Sequence, residues 1–427
     1  MKKLIVIFIV LTVCFQAACG RLNPENKRDR DDETYSESSS RKKNKSTSKS
    51  TPETAVPTVT PYITENPYPG DDNPSPDTGV GTGDSDDTGY IVHDDTNIYG
   101  SNPVMDKDNI LIAEAVGDVI TVLELTPEGT VINEVFSAYA YRYFPFSVKD
   151  QLLFLYSSDG LFLYDFNTET LYMLPQSVSC QPVGFLKQSP CVVYSNRYMS
   201  DLSHQVIIYD YVNERIVRKL TGYNAKISAM DDSVYFLNYH PEEDYYYSIS
   251  ISSYDPDTGE VKERYKELMD DYTYDITDVA PLSMDYFAYC IYNEHEYRYH
   301  TSEGYVIATK GNLYSEDISK EQFDLVFSPD GKMACMTERD WGSLTYIAYG
   351  DYTSQEMFQS EYYGSFPEFH NGLIYFVSDP GFVNAKEGER SFRQIEVYAL
   401  YCLDPVDNSV TEIYRTRGDG FMFLKSY

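Results

Sequence analysis

The chain has 427 residues, with 67 acidic against 34 basic side chains and a formal net charge of −33. That balance excludes nucleic acid as a partner, because phosphate recognition depends on clustered positive charge. The usage of 42 Tyr and 21 Phe against a single Trp favours strands over helices.

The first element is a leader. Lys2 and Lys3 precede an apolar run from Leu4 to Phe15 broken only by Thr12, and the small residues Ala17 and Ala18 follow. This is the layout of a secretory signal, and it falls short of the roughly 20 apolar residues that span a bilayer. Cleavage after Ala18 leaves Cys19 first, with Gly20 behind it. The segment resembles the lipobox of bacterial lipoproteins, where a small residue precedes a cysteine that receives diacylglycerol. Gln16 stands where that family usually carries Leu. The resemblance implies loss of residues 1–18 as signal peptide, lipidation of Cys19 and a lipid anchor in the cell membrane, on its extracytoplasmic face. Each buried acyl methylene contributes ~0.8 kcal/mol to such an anchor. An ordinary secreted protein with an incidental cysteine is the alternative.

Residues 19–100 read as a disordered linker. Residues 21–50 are Ser, Lys, Arg, Asp and Glu with almost nothing apolar, and 51–100 are rich in Pro, Thr, Asp and Gly. Such composition buries too little apolar surface to offset backbone entropy. Its charge falls in two blocks: nine basic residues against six acids in 21–50, then ten acids and no Lys or Arg in 51–100. The basic block suits an anionic membrane or wall polymer, and the acidic block is repelled outward. As flexible coil this length reaches roughly 50 Å.

Residues 101–427 repeat one pattern: an alternating strand, a loop, a strand ending in an aromatic-Asp pair, a turn and a further strand. Copies begin at Ile110, Leu152, Cys191, Ser233, Tyr286, Met333 and Leu373, so seven fill the domain at about the 40–50-residue period of β-propeller blades. Asp165, Asp210 and Asp255 open hairpin turns at two equal intervals, and Asp can bond the backbone two residues onward. The first copy lacks a preceding inner strand while "GFMFLKSY" at 420–427 lacks a partner. The expected fold is therefore an all-β, seven-bladed β-propeller closed by the C-terminal strand, which removes free edges. The stretch "FDLVFSPDGKMACM" (323–336) is similar to the TolB/WD-type propeller repeat, with Asp330 and Gly331 in its Ser-Pro-Asp-Gly-Lys turn. That resemblance implies a fold with many functions and no single activity.

Chemistry is sparse. There is no Gly-x-Ser-x-Gly elbow, and none of the six His forms a metal motif, so no metal and no cofactor is expected. Two acids facing each other across a propeller funnel can cleave a glycosidic bond, although no spacing selects a pair. Trp341, Tyr245, Tyr246, Tyr297 and Tyr299 are candidate ligand-binding aromatics able to stack on sugar rings, against a bland role covering sheet surface. Cys180 and Cys191 can be paired as a disulfide or stand as buried small hydrophobes. The leading expectation is a monomeric, surface-displayed binding or assembly module that meets a protein or a cell-surface glycan. A carbohydrate-active enzyme (glycoside hydrolase or lyase) and an envelope assembly factor are the alternatives.

Overall fold

The computed structural model describes residues 91–426 apart from 94–97, 101–105, 107, 140–141, 197–203, 242–246, 270–273, 294–295, 304–306, 311–319, 341–344, 353–355, 382, 384–397 and 418–419. Within these residues the chain is all-β, and its antiparallel sheets make seven blades of a propeller.

Blade 2 is typical. Its inner strand is Phe144–Lys149, followed outward by Leu152–Ser157, Gly160–Asp165 and Thr170–Met173. Blade 3 spans Cys180–Phe185 to Arg215–Thr221, and blade 4 spans Tyr223–Ile227 to Val261–Met269. Blade 6 spans Lys320–Phe327 to Glu356–Tyr363, and blade 7 spans Ser365–His370 to Ser409–Arg415. Among the described residues, blade 5 has three strands, Tyr274–Pro281, Phe287–Asn293 and Glu296–Thr301. The next strand, Ala308–Lys310, leaves its own blade and pairs in parallel with Glu356–Phe358 at the outer edge of blade 6. The sequence pattern places that segment in the fifth repeat, but its backbone belongs to the neighbouring blade.

Blade 1 takes its inner strand from the far end of the chain. Gly420–Ser426 pairs antiparallel with Ile110–Val116, Leu111 standing opposite Leu424 and Ala115 opposite Gly420. The expected closure by this strand is what the structure contains. Two short strands, Ile91–His93 and Tyr99–Gly100, precede residue 101. Ordered chain thus reaches into a stretch that composition assigns to the linker, because an existing sheet edge accepts main chain without any apolar pattern.

Seven buried clusters hold the ring, each straddling two consecutive blades. Tyr194 and Val192 of blade 3 pack on Phe154 of blade 2, whereas Val193 and Cys191 on the same strand pack on Phe236 and Val234 of blade 4. Alternate side chains of a strand point to opposite faces, and here both faces are covered. The middle strands therefore read as unbroken apolar runs, while outer strands such as Arg215–Thr221 are mostly exposed. The seventh cluster joins Ile110, Ile112, Leu123 and Leu125 of blade 1 to Tyr375, Leu400 and Cys402 of blade 7. At ~25 cal/mol per Å² of apolar surface, these interfaces supply the dominant stabilisation.

Candidate functional site

The inner strands lie against one another around the ring and face its axis. Most of them carry a β-bulge near mid-strand: Pro145/Ser147, Pro182/Gly184, Tyr223/Lys226, Ile276/Asp278, Phe323/Val326 and Ser365/Glu368. A bulge bends a strand and re-aims the side chains beside it. In blades 4, 6 and 7 the first bulged residue has positive φ: Asn224 at 48°, Asp324 at 52° and Phe366 at 57°. Asn and Asp tolerate this region, but a bulky ring there stores on the order of 1–3 kcal/mol of strain. Phe366 is also 41% exposed.

These bulges bring four charged groups together from four consecutive blades. Lys226 Nζ of blade 4 lies 3.6 Å from Asp278 Oδ1 of blade 5. The other carboxylate oxygen, Asp278 Oδ2, accepts a 2.8 Å hydrogen bond from the Tyr299 hydroxyl. Leu325 N–H, next to Asp324, donates to that hydroxyl in turn at 3.4 Å. Burial pushes the Asp324 carboxyl up to about 6; Asp278 and Glu368 of blade 7 push the same way, against Lys226 and a hydrogen bond with Thr337. The wall thus combines a lysine-held carboxylate with a second carboxyl whose proton is easily gained, an arrangement suited to gripping a cation or exchanging a proton. Among the described residues no group of three or more His, Cys, Asp or Glu side chains is placed to hold a metal ion.

The residues singled out from sequence fall elsewhere. Cys19, Tyr245, Tyr246 and Trp341 lie outside the described residues, as does the side chain of Tyr297. Tyr299 is 1% exposed in the core between blades 5 and 6, so it presents no face for a sugar to stack on; its hydroxyl positions Asp278 instead. Asp165 Oδ1 accepts from Asn167 N, Asp210 from Val212 N and Asn213 N, and Asp255 from Asp257 N and the Thr258 hydroxyl. Asp330 accepts from the Ser328 hydroxyl at 2.7 Å and from Lys332 N, and these bonds with the Lys332 ammonium hold its carboxyl down to about 2. Gly331 has φ of +70°, and a Cβ there would lie 2.6 Å from Met230 Sδ.

A Cys180–Cys191 disulfide is excluded by register. Both thiols are free and buried. Cys180 stands opposite Asn196 at one end of the strand pair, while Cys191 O accepts from Leu186 N at the other. Five residues of strand separate them by roughly 17 Å, far beyond the ~7 Å a disulfide can bridge.

The fold and the axial wall define a seven-bladed β-propeller with a cluster of charged groups on its inner strands. No protein-family model matches the chain, and no curated protein matches it by sequence. Solved structures do resemble it. An oligogalacturonate lyase in complex with manganese is 13% identical over 75% of this chain and 87% of that one, with a TM-score of 0.41. TolB from Acinetobacter baumannii is 12% identical over 74% of this chain and 82% of that one, with a TM-score of 0.38. The β-propeller domain of the Trilobed protease from Pyrococcus furiosus is 9% identical over 75% of this chain and 96% of that one, at 0.45.

Proposed function

We propose that the chain is a lipid-anchored, extracytoplasmic binding module whose axial wall receives a cationic group, such as a lysine or arginine side chain of a protein partner. The observation that carries this reading is the convergence of Asp278, Asp324 and Glu368 with Lys226 on one side of the axis. A low-dielectric channel lined mainly by one sign of charge concentrates ions of the other. The sequence adds the anchor at Cys19 and a tether long enough for the propeller to meet a large partner. Proximity cross-linking on the native cell surface tests the reading. A protein captured by the wild type and lost from an Asp278→Asn/Glu368→Gln variant supports it, and capture unaffected by the variant removes the channel from the account.

A second reading rests on one further observation. Asp324 is pushed toward the protonated form while Asp278 sits beside an ammonium, and such a divided pair can serve as acid and base on a glycosidic bond. Turnover of surface or dietary oligosaccharides, abolished by Asp324→Asn, would favour it over simple binding.

A further inference from the structure

Blades 1 and 2 are tied to each other at both the axis and the rim, whereas blades 5 and 6, also one continuous sheet, join through Tyr297 opposite Glu321. Together blades 1 and 2 form one continuous ten-stranded sheet. At the axis, Gly420–Ser426 completes blade 1 and its end pairs in parallel with blade 2, Lys425 opposite Ser147 and Ser426 opposite Val148. At the rim, Ile91–His93 pairs antiparallel with the outer strand of blade 2, Ile91 opposite Met173 and His93 opposite Leu171. Tyr99–Gly100 then pairs with the outer strand of blade 1, Gly100 opposite Phe136.

The second of these rim strands is fitted to the groove between the blades. Phe136 of blade 1 and Tyr164 of blade 2 meet edge to face at 5.4 Å, and Tyr164 meets Phe166 at the same distance. Gly100 passes directly over this aromatic junction, and a Cβ there would lie 2.5 Å from Tyr164 Cε1 and Oη. Tyr164 is 3% exposed, so the ring has nowhere to retreat. Glycine is what lets the main chain approach this closely.

We infer that Ile91–His93 and Tyr99–Gly100 form a rim clasp that ties the outer edges of blades 1 and 2 together. The clasp covers two outer edges that would otherwise present unpaired backbone groups. The inference stands whatever the channel binds.

Hydrogen exchange on the full-length protein tests it. The clasp predicts slow exchange in the outer strands 131–139 and 170–173. Gly100→Val in the intact chain should raise exchange in 131–139 at least tenfold while leaving the middle strands 152–165 protected. If that valine disturbs the aromatic junction itself, His93→Pro supplies a second route, since His93 stands opposite Leu171 in a hydrogen-bonding pair and proline cannot donate to a sheet ladder. It should deprotect 170–173 and leave 152–165 unchanged. Outer-strand exchange identical to wild type in both variants would overturn the clasp.

Discussion

Arg417 closes on Glu114 across the joint between blades 7 and 1. Its guanidinium meets Glu114 Oε1 at 3.0 Å, and its backbone N–H donates to Glu114 Oε2, which also accepts from the Tyr414 hydroxyl at 2.9 Å. Glu114 is only 2% exposed although Arg417 is largely solvated. The chain reaches its closing strand a few residues after Arg417, so this carboxylate anchors the lead-in to ring closure. Glu114→Ala should lower unfolding free energy by about 1–3 kcal/mol, the cost of leaving buried donors unmatched. Arg417→Ala should cost less, because Glu114 keeps two partners. Urea denaturation of the two single variants and the double variant measures both values and their coupling.

Lys149 makes a similar link between blades 2 and 3. Its buried ammonium donates to the carbonyls of Leu186, Lys187 and Ser189 at 2.5, 3.2 and 2.8 Å. Asp232 of blade 4 accepts from Lys187 N and Gln188 N in the same turn. Lys149→Met keeps the length and removes the donor. It should destabilise the propeller by about 2 kcal/mol, read as a lower melting temperature.

Asp324 gives stability a distinctive pH dependence. Its carboxyl binds a proton more tightly in the fold, near 6, than in the unfolded chain, near 3.8. The folded form therefore carries a penalty that is complete above about pH 6 and disappears as pH falls through 3.8, of order 3 kcal/mol. Asp324→Asn should raise the melting temperature at pH 7.5 and change it little at pH 3.5. A gain of equal size at both pH values would show that ionisation is not the cause.

The repeat was legible because each middle strand is buried on both faces, as in Gln205–Asp210, and because Asp165, Asp210 and Asp255 begin equivalent turns. Asp404 does the same in blade 7, where Val406 N bonds it at 2.8 Å, but the long connection between Ser378 and Ala399 hides it from any fixed interval. The axial wall was not legible. Lys226, Asp278, Asp324 and Glu368 sit far apart in sequence and meet only because the ring brings four bulges to one axis. Tyr299 misled for a related reason: a tyrosine on a strand looks the same whether it faces solvent or a neighbouring blade.

Phe366 offers a trade between stability and recognition. Its ring occupies a backbone region that Asn224 and Asp324 adopt with less strain at the matching bulges. Phe366→Asn should stabilise the fold by up to about 1 kcal/mol, partly offset because asparagine cannot replace the apolar packing of the ring. If the exposed ring contributes to the channel's ligand surface, the same variant should weaken partner capture. Cross-linking yield and melting temperature, measured together, check both halves.

Thiol chemistry tests the register of blade 3. Alkylation of the denatured, unreduced protein should label both Cys180 and Cys191, and a reductant should leave the melting temperature unchanged. A disulfide-linked peptide joining the two would contradict the observed strand pairing.

The axial wall as a cation site is tested most directly by calorimetric titration of the full-length protein with a tetralysine peptide. Asp278→Asn/Glu368→Gln is compared with the charge-matched control Asp118→Asn/Asp159→Asn, whose acids are exposed in turns between strands. Binding that is equal in wild type and control, weakens with salt, and falls at least tenfold in the axial variant is the predicted result. Equal binding to all three proteins would assign the attraction to overall negative charge and contradict an axial site.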